Sequence, residues 1–147
     1  FAEKAVALGA VLNGFSLALM LTCQGKKVFL PGDATPESLS GDAKFRQALE
    51  SGALRCDVLK IAHHGQIDGV TEEFITALSP EIIITCSSSD RRYQSARPDL
   101  YRRIDTWLKQ KPAYLFTDAI DIEANTLCRA PHSAVVIAFN SKVPLRV

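Results

Sequence analysis

Two short stretches of the chain hold residue types whose spacing suggests chemistry. Gly32-Asp33 closes the apolar run "KKVFLPGD" and sets a carboxylate where a strand should end. Glycine there allows close backbone approach, and a carboxylate fixed at a strand end can bind or bridge a metal; a turn or helix-cap aspartate is the commoner use. "KIAHHGQIDG", from Lys60 to Gly69, carries His63 and His64 side by side. Adjacent histidines on a tight turn point in different directions. One can bind a metal while the other orients substrate, hydrogen-bonds the ligand set or shuttles protons; the alternative is a satisfied turn histidine. The third histidine, His132 in "RAPHSAV", has no partner at ligand spacing and reads as a turn or surface residue.

A cluster of Arg91, Arg92, Arg97, Arg102 and Arg103 follows within thirteen positions, either a solvated loop and helix face or a local anion-binding patch. The net charge of +1 supplies no bulk basic field to attract phosphates.

The elements that must position these residues follow from apolar patterning. "FSLALMLTC" and "KKVFLPG" are strand-like runs parted by Gln24-Gly25, a β-hairpin pattern. Thr35-Pro36-Glu37 supplies an N-cap, a proline for the first helical position and an acid for the first turn. That predicts a helix to about Ser51, stopped by Gly52, with Gly41 as an early breaking point. "CDVLKIA" predicts a strand buried on both faces. Thr71-Glu72-Glu73 opens a helix through Leu78, with Phe74, Ile75 and Leu78 facing the core. "EIIITCS" is a further buried strand. Pro98 to about Lys111 predicts a helix carrying Leu100, Ile104, Trp107 and Leu108 at helical spacing. Strands at "AYLFT", "DIEANTL" and "SAVVIAF" complete a layered α/β arrangement. Asp33, His63-His64 and Ser87 to Asp90 all fall just after predicted strands, where such sheets bind ligands.

With 147 residues, 47% hydrophobic and 22% charged, the chain suits one domain with a real core. Cys23, Cys56, Cys86 and Cys128 are scattered without a CxxC pair and read as reduced, structural thiols, which favours a cytoplasmic setting. No run reaches the length of a transmembrane span; the apolar opening is interrupted at Asn13-Gly14 and lacks a clean cleavage pattern. The opening residue, Phe1, makes the chain read as a processed or excised piece of something longer.

Taken in order, "NGFSLALMLTCQGKKVFLPGDAT", "DVLKIAHHG" and "EEFITALSPEIIITCSSSDRRYQSARPDLYRRI" resemble the second half of a metallo-β-lactamase-fold hydrolase. The likeness is to the domain attached to ComEC-type competence proteins and to its free-standing relatives. That family pattern is Asn-x-x-Ser, a hairpin ending in Gly-Asp, a strand into His-His-Gly and a strand into an Arg-Tyr loop. Asn13 to Ser16, Gly32-Asp33, His63 to Gly65 and Arg92-Tyr93 stand in that order, and "YLFTDAIDI" is similar to the closing Thr-Asp segment. The resemblance spans nearly the whole chain.

It implies a four-layer αβ/βα sandwich, with residues 1–147 as the C-terminal part of a single domain. It also implies one or two divalent ions, usually zinc, with manganese or iron as alternatives. Asp33 matches the bridging aspartate and His64 the last histidine ligand. His63 then stands beside the ligand set, as a catalytic helper or substitute ligand, and Arg92, Tyr93 and Arg97 face the substrate. The expected activity is hydrolysis of a phosphodiester, nucleic acid among the candidates, by a metal-activated water.

Three departures qualify this. The family's leading His-x-His-x-Asp-His motif is absent, and a catalytic zinc needs three protein ligands; a missing N-terminal segment or companion chain must supply the rest. The His-Pro-His of many relatives is replaced by Gln94 to Pro98, where Arg97 remains as a phosphate holder. The Ser that commonly follows His-His-Gly is Gln66. The competing expectations are therefore a hydrolase completed from outside this chain and a divergent, inactive domain serving as a binding or scaffold module. A third is an unrelated doubly wound domain that binds a small anion at its strand ends.

Overall fold

A computed structural model describes residues 13, 15–87, 95–117 and 135–139. Leu19–Cys23 (β1) and Lys26–Leu30 (β2) pair antiparallel, joined at Gln24 (φ 50°) and Gly25 (φ 78°). Two successive left-handed residues make the turn whose twist suits a two-residue hairpin. Val58–Lys60 (β3), Ile82–Thr85 (β4) and Ala113–Phe116 (β5) then add in parallel, giving a five-stranded sheet in chain order among the described residues.

Helices fill the crossovers. Between β2 and β3 the single helix expected from Thr35 is two: Pro36–Ser40 (α1) and Ala43–Glu50 (α2). Thr35 caps the first through the Ser38 amide at 3.3 Å. Asp42 starts the second by accepting from the Phe45 amide at 2.8 Å. A glycine followed by a good cap favours two helix starts over one continuous rod. Glu72–Leu78 (α3) follows Thr71 as its cap, with Phe74, Ile75 and Leu78 buried. Pro98–Trp107 (α4) ends four residues before the expected Lys111, because Leu108 turns extended (φ −88°, ψ 133°) and runs back toward β5. Pro112 also disfavours helical backbone at Lys111 just before it.

Alternation along the strands divides the core between two sheet faces. Phe29, Leu59, Ile83, Tyr114 and Phe116 meet α3 and α4 on one face. Val28, Val58, Ile82 and Ile84 form the other, with Val135, Ile137 and Phe139 packed against them. β3 is thus buried on both faces, as a parallel interior strand should be. Residues 135–139, within the expected strand "SAVVIAF", alternate half-buried and exposed but form no ladder among the described residues. "DIEANTL" lies outside them. Cys56 is buried, while Cys23 is exposed at the end of the edge strand rather than packed; both are free, as is Cys86. Cys128 lies outside the described residues. None of the described helices is long and apolar enough to cross a membrane.

Candidate functional site

Because β2, β3 and β4 run parallel, their C-terminal ends open on the same edge of the sheet. Pro31-Gly32-Asp33 leaves β2, a tight turn at Ala62–Gly65 follows β3, and Cys86-Ser87 leaves β4.

The histidine turn is unusual in its backbone. His63 (φ 47°), His64 (φ 54°) and Gly65 (φ 73°) are all left-handed. Each non-glycine residue there costs on the order of 1–3 kcal/mol and persists only if its surroundings fix it. All three carbonyls are taken: His63 O by the Gln66 amide at 3.0 Å, His64 O by the Ala96 amide at 2.8 Å and Gly65 O by the Arg97 amide at 3.0 Å. Gly65 is required, since a Cβ would run into the Tyr101 hydroxyl.

The turn aims its two rings apart. His64 donates from Nδ1 to the Cys86 carbonyl at 2.7 Å, which fixes the tautomer and leaves Nε2 directed 3.4 Å from Asp33 Oδ1. A charge-assisted hydrogen bond would be shorter, about 2.7–2.9 Å. Two donors held about 2.0–2.1 Å from one tetrahedral zinc stand about 3.4 Å apart. The spacing and donor types therefore fit two corners of such a site. Among the described residues, no group of three or more His, Cys, Asp or Glu converges to complete it.

His63 is committed elsewhere. Its Nδ1 donates to Asp68 at 3.0 Å, and its Nε2 accepts from Asn13 Nδ2 at 3.3 Å and Gln66 Nε2 at 3.0 Å. Both ring nitrogens are engaged, so this ring positions the turn. Asp33 is held by its backbone, whose amide donates to Ser16 Oγ at 3.3 Å. The Gly32 carbonyl accepts from the His63 amide at 3.3 Å and from Lys60 Nζ at 3.1 Å. A Cβ on Gly32 (φ 64°) would lie 3.3 Å from both the Leu17 carbonyl oxygen and Ser16 Cβ, so the close approach there needs glycine.

The remaining expected residues divide. Arg97 lends its amide to the turn, while its guanidinium meets Asp99 through two contacts of 2.9 and 3.0 Å. That pairing holds the Asp99 carboxyl below its ordinary range. Arg92, Tyr93 and His132 lie outside the described residues. Asn13, fifty positions from His63, is marked in the sequence only as the first residue of the Asn-x-x-Ser pattern, and Asp68, five positions away, not at all. Their amide and carboxylate act only because the fold brings them to one ring.

No family model matches the chain. The chain is similar to ComE operon protein 3 of Bacillus subtilis (strain 168). The two are 32% identical over 81 residues, which is 55% of this chain and 10% of that protein, so the chain spans about a tenth of the relative's length.

Proposed function

We propose that this chain is part of a metal-dependent hydrolase of the metallo-β-lactamase type, acting on phosphodiesters, with Asp33 and His64 as two ligands of a zinc site. The 3.4 Å separation of the Asp33 carboxylate and the oriented His64 Nε2 carries the reading. The ordered motifs and the likeness to ComE operon protein 3 support it.

A divalent ion bound there would activate water near neutral pH and offset charge on a phosphoryl group. The chain's own residues do the rest. The Cys86 carbonyl holds the His64 ring, Ser16 holds the Asp33 turn, and His63 with Asp68, Asn13 and Gln66 keeps the left-handed turn in place. The missing ligands come from an N-terminal segment or a companion chain. The four-layer sandwich belongs to the same proposal. It is supported by a sheet whose second face is apolar, with Leu19 and Leu21 still 42% and 47% exposed. The free cysteines support a cytoplasmic setting.

The second reading, an inactive binding or scaffold module, is favoured by the engagement of His63 and by the pairing of Arg97 with Asp99. Metal analysis of the full-length protein, with bis-p-nitrophenyl phosphate turnover and Asp33→Ala as control, separates the two. Stoichiometric zinc, manganese or iron with turnover lost in Asp33→Ala supports the hydrolase. No bound metal and no Asp33-dependent turnover leaves the module.

A further inference from the structure

Lys60 is a charged residue in a strand built to be buried. It follows Val58 and Leu59 in β3, pairs in register with Ile84, and shares the sheet face of Val58 and Ile84. Its side chain is only 17% exposed. A lysine can lay its stem on apolar surface, but the ammonium must then find partners at the strand end.

Those partners are incomplete. An ammonium has three N–H donors. One reaches the Gly32 carbonyl at 3.1 Å. Asp33 Oδ1, at 3.9 Å, is close enough for attraction but beyond a hydrogen bond. It is the same oxygen that stands 3.4 Å from His64 Nε2. The cation is therefore fixed beside the half-exposed carboxylate, anchored by a backbone carbonyl that the His63 amide also uses.

We propose that Lys60 is an anion-binding residue of this site, holding a phosphoryl oxygen of whatever is bound in front of Asp33 and His64. The ammonium and His64 Nε2 have the same neighbour, Asp33 Oδ1, at 3.9 and 3.4 Å, so a phosphoryl oxygen bound at that corner can take a second, charge-assisted contact from the lysine. Lysine binds phosphate in this way, as a point charge with adaptable donors. The Gly32 carbonyl fixes its position in advance, so little freedom is lost on binding. This deepens the hydrolase reading by assigning its substrate charge to a residue of the chain. It rests on that reading for the metal but not for the anion.

The test uses the full-length, metal-loaded protein and inorganic phosphate as probe. Binding is measured by calorimetry for the wild type, Lys60→Met and Lys60→Arg, with metal content measured in parallel. Lys60→Met should retain metal and weaken phosphate binding about ten- to a hundredfold, the value of one hydrogen bond to a charged group. Lys60→Arg should recover part of it. As a measurement independent of folding in the variants, phosphate should slow reductive methylation of Lys60 in the wild type, while exposed Lys111 reacts at an unchanged rate. Unchanged phosphate affinity in a folded Lys60→Met, or no protection of Lys60 at saturating phosphate, overturns the proposal. Wild-type protein that binds no metal sinks the hydrolase reading instead, and phosphate binding lost with Lys60 would then still support the anion site.

Discussion

His64 and Asp33 face each other across 3.4 Å, while the opposite nitrogen of the same ring is fixed on the Cys86 carbonyl at 2.7 Å. A neutral imidazole that donates through Nδ1 presents a lone pair at Nε2. Lone pair and carboxylate are poor neighbours unless a proton or a cation lies between them. His63, in contrast, has amide donors on Nε2 and a carboxylate on Nδ1. The two adjacent histidines therefore do different work.

The corresponding prediction concerns metal content. His64→Ala should abolish stoichiometric metal binding in the full-length protein. His63→Ala, which loosens the turn but keeps His64, should weaken it about tenfold. Equilibrium dialysis against zinc, read by elemental analysis, compares the two. The reverse order would identify His63 as the ligand.

A second prediction concerns the turn itself. Gly65→Ala would place a methyl group against the Tyr101 hydroxyl and hold a non-glycine residue at φ 73°. Tyr101 is fully buried, hydrogen-bonded to Thr85 at 2.8 Å and packed edge-on against Tyr114 and Phe116, so it has little room to retreat. Destabilisation should be about 2–4 kcal/mol from backbone strain and overpacking together. Urea denaturation measures it, and a loss under about 0.5 kcal/mol, the scale of an ordinary surface substitution, would show that the turn adapts freely.

What the sequence made legible follows from range. The hairpin, the buried strands and the capped helices are written in local patterns of apolar residues, glycine and capping side chains. They placed Asp33 and His64 at strand ends, and the parallel sheet does bring those two together. The partners of His63 were not legible, because Asn13 is fifty positions away and its amide meets the ring only after β2 and β3 have paired. Lys60 sits in the otherwise apolar run "CDVLKIA" without any sign of a partner. Its role depends on the Gly32 carbonyl, which no residue pattern encodes. The split of the first helix was legible as a glycine break, and the Asp42 cap supplied its reason.

At alkaline pH, Cys56 should limit stability. Burial, with a smaller push from the Asp57 carboxylate, raises its thiol from 9.0 to about 12. Below 9 both folded and unfolded chains keep the proton, so the thiol imposes no penalty. Above it the unfolded chain releases the proton while the folded one retains it, so stability falls as pH rises from about 9 to about 12. Tyr114, raised by burial and by its hydrogen bond to Asp105, adds to the fall at higher pH. Denaturation midpoints across this range should drop less steeply in Cys56→Ala. In the native protein at pH 8, a thiol reagent should modify exposed Cys23 promptly and Cys56 only on unfolding; equal rates would contradict the burial of Cys56.

Acid should act through Asp57, at the entry to β3. Its partial burial alone would raise the carboxyl. The hydrogen bond from Lys26 Nζ at 2.7 Å and that from the Lys27 amide at 2.8 Å outweigh burial and hold it below the ordinary 3.8. The carboxylate clamps the hairpin turn to the start of β3, and the neighbouring Asp57 carbonyl accepts from Glu81 and Ile82 at the start of β4. A depressed folded value means that the contribution is fully present above the unfolded value of 3.8 and fades as pH falls through the lower, folded one. Asp57→Asn should therefore be less stable than the wild type at pH 7 and lose less on acidification. Because the lysine end is exposed, added salt should shrink the gap between the two only in part, leaving the share due to the Lys27 amide. Parallel acid-denaturation curves for the two proteins would show that Asp57 carries no such charge-dependent contact.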